Sequence, residues 1–320
     1  MDQAQINAIR GALPKGRTLF SYFKDRYALV LLSHFVGAGK PMRVVKQSRF
    51  GGLLNKPLLK HPGRSLPGNR LTQDVLESVW NDPDAYRIYR LTLSTWGPEV
   101  HWDQGYYQTS RPGKNLVLQL NFSGRHNQPY HRLIRPVDGH PFRVSYHPTS
   151  RRELTLAWAR LDADLDTGEA LVEEVQNDWI RLALWWKYRL KTLSRCSRPM
   201  RRRLLTNCLG TPDADAARLF QYVDEVLQPH IEVWDEAMLT ATLCFLREDL
   251  GIRRIFYHTF DGGNRLKALR YGTPPRSLYT RLPRRFCFRE TADAPSFLMT
   301  QRRVRKEVQK GGIRFYLLEL

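Results

Sequence analysis

The chain has 320 residues, of which 42% are hydrophobic, enough to build one large domain or two ordinary ones and too many for general disorder. Its 51 lysines and arginines outnumber 31 aspartates and glutamates, which gives a formal net charge of +20. A positive field of this size concentrates polyanions at a protein surface. We therefore expect DNA or RNA as the partner; the alternatives are a basic surface that serves only solubility and an acidic protein partner.

A membrane partner is not expected from the sequence. It contains no lipidation signature and no apolar run long enough to cross a bilayer. The opening MDQAQINAIRGALPKGR lacks the apolar centre of a signal peptide. Together these features predict a cytoplasmic protein.

The cysteine and histidine spacings indicate no metal site. No two of the four cysteines have the close C-x-x-C spacing of zinc or redox motifs, so they are interpreted as reduced thiols. Three histidines lie in the loop-like run HNQPYHRLIRPVDGH, and no further ligand is indicated there.

Residues 1–80 are predicted to form a small, basic helical region. Apolar residues at helical spacing run from Leu19 to a stop at Gly37, and the following PMRVVKQSRFGGLLNKPLLK spreads lysines and arginines among apolar positions. This region is either a DNA-contacting unit or a helical cap over the core with a solvated basic face. A Pro- and Gly-rich connector, HPGRSLPGN, follows it.

Residues 81–320 are predicted to form a mixed core domain that begins with strands. The clearest signal is a hairpin about the turn Asp166–Gly168. The strands predicted in this part run from Arg87 to Trp96, Asn115 to Gly124, Phe142 to His147, Leu154 to Leu161 and Ala170 to Gln176.

A long helical stretch then runs from about residue 178 to 250 and includes a helical insertion at about 180–230. Gly251 ends it, and the next run, Ile252 to Phe260, is typical of a buried strand. Strand, helix and strand in this order predict a parallel crossover. The fold class is therefore α+β or α/β, with a mixed, largely antiparallel sheet that the final IRFYLLEL closes.

The first candidate site is a polar cluster at the end of the Ala170 strand, formed by Glu174, Gln176 and Asp178. Carboxylates and an amide at a strand end that enters a parallel crossover lie where open sheets place their ligands. Period-two alternation predicts Glu174 and Gln176 on one face, with Glu173 and Val175 on the other. The alternative is structural: Asp178 caps the next helix and a glutamate pairs with an arginine.

A second cluster, YHTFDGGNRLK, follows the Ile252 strand. His258 is a candidate general base, although a single histidine at a strand end also serves structural roles. Asn264, Arg265 and Lys267 are candidates for phosphate contact beside two glycines that allow close backbone approach.

Two basic stretches form a third candidate, an interface with nucleic acid. Cations near aromatic residues suit backbone contact together with base stacking, although a solvated face is the alternative. The residues proposed here are Trp179, Lys187, Arg195, Arg198, Arg201, Arg202 and Arg203 in the first stretch, with Arg284 and Arg285 in the second.

The run EEVQNDW resembles the E-x-Q-S-D-W motif of a domain found in large polyvalent proteins of phages and conjugative elements. The matching residues are Glu174, Gln176, Asp178 and Trp179, with Asn177 where that pattern has serine. The resemblance covers about residues 154–290, and the segment between Trp179 and Trp234 is longer here. It implies a phage, mobile-element or defence component.

The order of elements also resembles the N-acetyltransferase (GNAT) fold: antiparallel strands, a central strand, a helix and a parallel strand. That resemblance implies coenzyme A as the cofactor and a tyrosine general acid, for which Tyr279 is the positional match. Acyltransferases of this type have a Gly-rich pyrophosphate loop after the central strand. NDWIRLALWWKYR contains no glycine and departs from that pattern.

Three hypotheses follow from the sequence. The first is a GNAT-like transferase that acts on nucleic acid or on a nucleic-acid-bound target through Glu174, Gln176 and Asp178, with His258 or Tyr279 assisting. The second is a nucleic-acid-binding protein without catalysis. The third is a metal-dependent nuclease in which Asp164 or Asp166 would join Glu174.

Overall fold

The structure is a computed structural model of the chain. It describes residues 1–13, 18–60, 67–79, 83–97, 108–126, 147–149, 154–193, 195–200, 203, 213–267, 269 and 274–320. The strand predicted from Phe142 to His147 falls almost wholly outside these residues.

An eight-stranded sheet organises the described residues. Its strand order is β1-β4-β5-β6-β7-β8-β10-β9, and every neighbouring pair is antiparallel except β7 and β8. The strands are β1 Thr18–Tyr22, β4 Arg87–Trp96, β5 Asn115–Phe122, β6 Leu154–Asp164, β7 Glu169–Gln176, β8 Arg254–His258, β9 Arg289–Thr291 and β10 Phe315–Glu319. A separate two-stranded sheet pairs β2 Lys40–Pro41 with β3 Arg70–Leu71.

Helices cover the sheet and connect its strands. The α-helices are Gln3–Ala12, Arg26–Val36, Met42–Gln47, Gln73–Glu77, Trp179–Leu193, Asp213–Gln221, Gln228–Ile231, Trp234–Cys244, Phe260–Leu266, Arg281–Arg285, Ser296–Met299 and Arg302–Gln309. Two π-helical segments, Tyr222–Leu227 and Phe245–Asp249, join the helices between β7 and β8.

The predicted fold class is confirmed: the protein is a mixed α+β structure with a largely antiparallel sheet and one parallel pair. The hairpin between β6 and β7 turns at Leu165–Gly168, where the Asp164 carboxylate accepts the backbone amides of Asp166 and Thr167. Gly168 adopts a positive φ of 64°, which favours glycine there.

Alternation along the strands divides the core into two parts. Ile255 and Tyr257 of β8 join a large cluster that includes the Trp234–Cys244 helix, whereas Phe256 between them joins a smaller cluster under the Arg302–Gln309 helix. Successive side chains of a strand point to opposite faces, so the sheet lies between two helical layers.

The helix predicted from Leu19 begins only at Arg26. Residues Thr18–Tyr22 form β1 instead and pair with β4 at one edge of the sheet. Because Tyr22 is buried in the large core cluster, strand pairing and side-chain packing outweigh the helical spacing of this run.

A buried glutamate fastens the N-terminal part of the chain to the core. Glu236, in the Trp234–Cys244 helix, is fully buried and accepts the backbone amide of Asp25 at 3.0 Å. Its carboxylate also lies 3.6 Å from Lys24 Nζ and 3.3 Å from an Arg285 guanidinium nitrogen. The residues around β1 are thereby joined to elements more than 200 positions later in the chain.

Two tryptophans on one helix provide a test of this packing. Trp179 is fully buried with its ring 4.5 Å from that of Phe122, whereas Trp185 is 43% exposed. We expect Trp179→Ala to lower the free energy of unfolding by about 3–5 kcal/mol, because it leaves a large cavity in the core. Trp185→Ala, the matched control, should cost less than about 1 kcal/mol. Urea unfolding followed by circular dichroism measures both, and equal losses would contradict the assigned packing.

Candidate functional site

The candidate site begins with a β-bulge in β7. Arg160 of β6 pairs with Glu174, and Leu161 pairs with Val172, so Glu173 is the extra residue that opposes no partner. The bulge interrupts the alternation of side chains. The prediction that Glu173 and Val175 share a face is therefore wrong: Val175 lies in the large core, while Glu173 contacts His258.

The bulge turns two consecutive carboxylates to one side of the sheet. Glu174 bonds Arg160, which alternates with core residues of β6, and Glu173 bonds His258, which alternates with Tyr257 of the core. Both carboxylates therefore face away from the large core. We call this side of β6 and β7 the polar face. It is an unusual concentration of buried charge, which a protein retains only where the charges have partners.

Glu173 is the centre of a fully buried hydrogen-bond network. Its carboxylate accepts the backbone amide of Ser110 at 2.9 Å and the Ser110 hydroxyl at 2.8 Å. His258 Nε2 lies 3.0 Å from the same carboxylate and 2.9 Å from Ser110 Oγ. All three side chains are at most 1% exposed, so the network is closed to solvent.

This network does not have the geometry of a nucleophilic triad. In such triads the acid holds one ring nitrogen of the histidine and the nucleophile meets the other. Here Glu173 and Ser110 both contact Nε2 of His258, and Nδ1 has no hydrogen-bond partner among the described residues. The arrangement fixes the strand ends and gives Ser110 no separate base.

The ionisation of Glu173 follows from its partners. Burial opposes the charge, but His258, Lys267 and Arg160 outweigh burial and lower the pKa of Glu173 below its ordinary value. Burial lowers the pKa of His258, and Glu173 raises it. Lys267 and Arg160 also lower it, so the pKa of His258 lies below its ordinary value. The buried network therefore pairs an ionised carboxylate with a neutral imidazole at neutral pH.

Lys267 and Tyr279 occupy the gap where β7 and β8 stop pairing. The two strands pair only as far as Val172 and Tyr257. Beyond this point Lys267 Nζ donates to the backbone carbonyl of Glu173 at 3.0 Å and lies 3.4 Å from the Tyr279 hydroxyl. Burial lowers the pKa of Lys267, and burial raises the pKa of Tyr279 well above its ordinary value.

Glu174 is held by a buried ion pair with Arg160. Burial opposes its ionisation, but Arg160 and Lys267 outweigh burial and lower the pKa of Glu174. The carboxylate is thus ionised and already engaged, which fits the structural alternative for this residue.

Gln176 and Asp178 form a second group at the edge of the polar face. Asp178 accepts from Gln176 Nε2 at 3.0 Å and from an Arg181 guanidinium nitrogen at 2.9 Å, and its carboxylate lies 2.7 Å from His147 Nδ1. Burial opposes ionisation of Asp178, but His147, Gln176 and Arg181 lower its pKa below the ordinary value. A carboxylate on Nδ1 fixes the orientation of the His147 ring.

The start of the Trp179–Leu193 helix does not fit the pyrophosphate of coenzyme A. Asn177 Oδ1 already accepts the backbone amide of Arg181 at 3.1 Å, and the ionised carboxylate of Asp178 lies at the same helix end. Free amides and the absence of negative charge are what make a helix N-terminus an anion site. Asn177 and Asp178 remove both conditions.

The structure separates the proposed nucleic-acid contacts into two groups. Trp179 and Lys267 are buried and offer no surface to a polynucleotide, which corrects the role predicted for them. Lys187 pairs with Asp224, Arg265 with Glu307, and Arg285 with Asp235 and Glu236, while Asn264 is half-buried. The residues Arg195, Arg198, Arg203 and Arg284 are exposed, and Arg201 and Arg202 lie outside the described residues.

Sequence reasoning missed Ser110, Arg160 and His147, which supply partners to the three acidic residues of the cluster. Ser110 lies in a segment without strand or helix periodicity, and His147 ends the strand predicted from Phe142, so no local pattern links either residue to β7. Arg160 had a detectable signal: it is a charged residue inside the apolar run LTLAWARL. A charge within a strand that is otherwise apolar indicates a buried ion pair.

Within the described parts of the chain, no group of three or more histidine, cysteine, aspartate or glutamate side chains is placed to hold a metal ion. Asp164 and Glu174, which the nuclease hypothesis joins, lie at opposite ends of the β6–β7 hairpin. Among the helices that are described, none is long and apolar enough to cross a membrane.

The chain matches no protein-family model, no curated protein and no solved structure. The two resemblances drawn from EEVQNDW and from the order of elements therefore remain predictions.

The buried network predicts a specific acid sensitivity. The folded pKa of Glu173 lies below that of an unfolded glutamate, about 4.3, so the unfolded chain binds more protons as the pH falls below about 5, and stability is lost. We expect Glu173→Gln to lower the free energy of unfolding by about 2–4 kcal/mol at pH 7. The difference from wild type should narrow toward pH 3.

Urea unfolding at a series of pH values measures this effect. Glu77→Gln, at an exposed glutamate, is the matched control and should leave stability nearly unchanged at every pH. A Glu173→Gln difference that stays constant from pH 7 to pH 3 would show that the Glu173 charge is not linked to folding.

Proposed function

We propose that the protein binds nucleic acid and that its contact surface is the basic segment, which in the described part of the chain comprises residues 189–193, 195–200 and 203. Between Trp179 and Pro212 the chain has no aspartate or glutamate, although lysine and arginine recur throughout. The observation that supports the proposal most directly is the exposure of Arg189, Arg195, Arg198 and Arg203, none of which makes an ion pair among the described residues.

The internal ion pairs of the chain explain why this segment is favoured over other basic residues. Several arginines elsewhere in the chain contact acids: Arg254 contacts Glu169, Arg265 contacts Glu307, and Arg285 contacts Asp235. A cation with an acidic neighbour contributes little to a phosphate contact, because its charge is already balanced. Arg189, Arg195, Arg198 and Arg203 lack such neighbours among the described residues, so their field is directed to solvent.

A smaller group of cations adds to the surface available for phosphates. Arg281 and Arg284 are exposed on the short Arg281–Arg285 helix, where Arg285 points instead to the acids of the Trp234–Cys244 helix. We assign these two arginines a supporting role because they lie in a different element from the basic segment.

Reversal of charge tests the proposal. We expect the triple variant Arg195→Glu, Arg198→Glu, Arg203→Glu to weaken binding of a labelled oligonucleotide at least tenfold at low salt. The plot of log affinity against log salt has a negative slope, and its magnitude should decrease by about 2 because three phosphate contacts are lost. Fluorescence anisotropy over a salt titration measures both quantities.

The matched control reverses the same number of charges on another face. Arg302, Arg305 and Lys306 are exposed on the Arg302–Gln309 helix, which packs on the smaller core cluster. Their reversal to glutamate should leave the salt slope close to that of wild type. Equal effects of the two triple variants would mean that only net charge matters, and the basic segment would lose its assigned role.

The transferase hypothesis receives less support from the same residues. The acidic start of the Trp179–Leu193 helix and the Lys267 side chain in the gap between β7 and β8 do not fit coenzyme A. We expect coenzyme A at millimolar concentration to leave the melting temperature unchanged, since a ligand raises it only when it binds the folded state. A rise of several degrees in the melting temperature with coenzyme A would favour the transferase hypothesis over nucleic-acid binding alone.

A further inference from the structure

The Trp179–Leu193 helix presents aromatic rings to solvent. Trp185 is 43% exposed and Tyr188 is 68% exposed, which makes them the two most exposed aromatic side chains among the described residues. Large apolar groups that are grouped on a surface mark sites of interaction. We call Trp185, Tyr188 and Arg189 the aromatic stripe.

Packing of the helix does not require these rings at the surface. Its inner face consists of Trp179, Ile180, Ala183 and Leu190, all buried. Residues three or four positions apart lie on the same side of a helix, so positions 181, 185, 188 and 189 form a continuous outer surface opposite that inner face. The exposed rings are therefore available to a partner.

The stripe is held in place before any partner binds. The Trp185 and Trp186 rings meet edge to face with centroids 4.4 Å apart, and Trp186 itself packs against the large core. The Arg189 guanidinium lies 5.0 Å from the centre of the Trp185 ring. Side chains that are already ordered lose less conformational entropy on binding.

The combination of rings and guanidinium groups identifies the partner. Unpaired nucleobases stack on aromatic rings and on arginine planes, and neighbouring cations hold the phosphates. Bases inside a duplex are stacked on each other and cannot reach such a surface. A membrane-binding helix needs a broad apolar face directed to the lipid, whereas Arg181 and Arg189 interrupt this one.

We propose that the aromatic stripe binds unpaired bases and gives the protein a preference for single-stranded over double-stranded nucleic acid. This inference rests on the proposed nucleic-acid-binding function and specifies its substrate class. The basic segment supplies affinity for phosphate, and the stripe supplies the selection of strand form.

The experiment compares three oligonucleotides of about 20 units: a single strand, its duplex, and an abasic strand that keeps the phosphates and lacks the bases. The wild type should bind the single strand more tightly than the other two. We expect Trp185→Ala and Tyr188→Ala each to weaken binding of the single strand about tenfold, with duplex and abasic binding unchanged. Trp185→Phe, which keeps a ring, should retain most of the affinity.

The outcomes separate the two proposals. The double variant Trp185→Ala, Tyr188→Ala should lose the preference for the single strand. If it retains that preference, the proposed role of the aromatic stripe is overturned. An equal loss for the abasic strand also overturns it, because the rings would then act on phosphate or on the fold. If the wild type binds none of the three at low salt, the nucleic-acid proposal itself fails. Ring-dependent binding to anionic vesicles in place of oligonucleotides would assign the stripe to a membrane surface.

Discussion

The extra residue in β7 is the constraint on which the polar half of the structure depends. Without the bulge, Glu173 and Glu174 would point to opposite faces, and one carboxylate would enter the large apolar core. The bulge brings both to the polar face, beside Arg160 and His258. Bulges are a common means of re-aiming side chains near functional sites.

The end of β7 sets the position of the proposed binding surface. Because Gln176 ends a strand that is buried on both faces, the Trp179–Leu193 helix begins at a rigid point, fastened by Asn177 and by the buried ring of Trp179. The helix is therefore anchored to β7, an interior strand of the sheet, and its outer face has a fixed position. This holds although the residues of the helix belong to the long crossover between β7 and β8. Sites on such elements keep a more constant geometry than sites on loops.

Much of the fold was predictable from local patterns. The limits of β4, the hairpin about Gly168, the stop at Gly251 and the parallel crossover all follow from periodicity and turn residues. The edge strand Thr18–Tyr22 did not, because its apolar spacing also suits a helix and only pairing with β4 decides between the two.

The site was less predictable than the fold for the same reason: its contacts join distant segments. Glu173 and Ser110 are 63 positions apart, and Glu173 and His258 are 85 apart. Sequence placed Trp179 on the binding surface because aromatic residues near cations suggest stacking, but a helix of this kind has an inner and an outer side. Trp179 lies on the inner side and Trp185 on the outer, and only the packing distinguishes them.

The contacts of Glu236 have a consequence for how the chain acquires its structure as it leaves the ribosome. Asp25 meets its buried partner 211 positions later, and Arg285, which contacts the same carboxylate, follows 49 positions after that. The residues around β1 are thus synthesised long before the elements that anchor them. Nascent chains with such delayed partners expose apolar surface and strand edges during elongation, which is the condition under which chaperones bind.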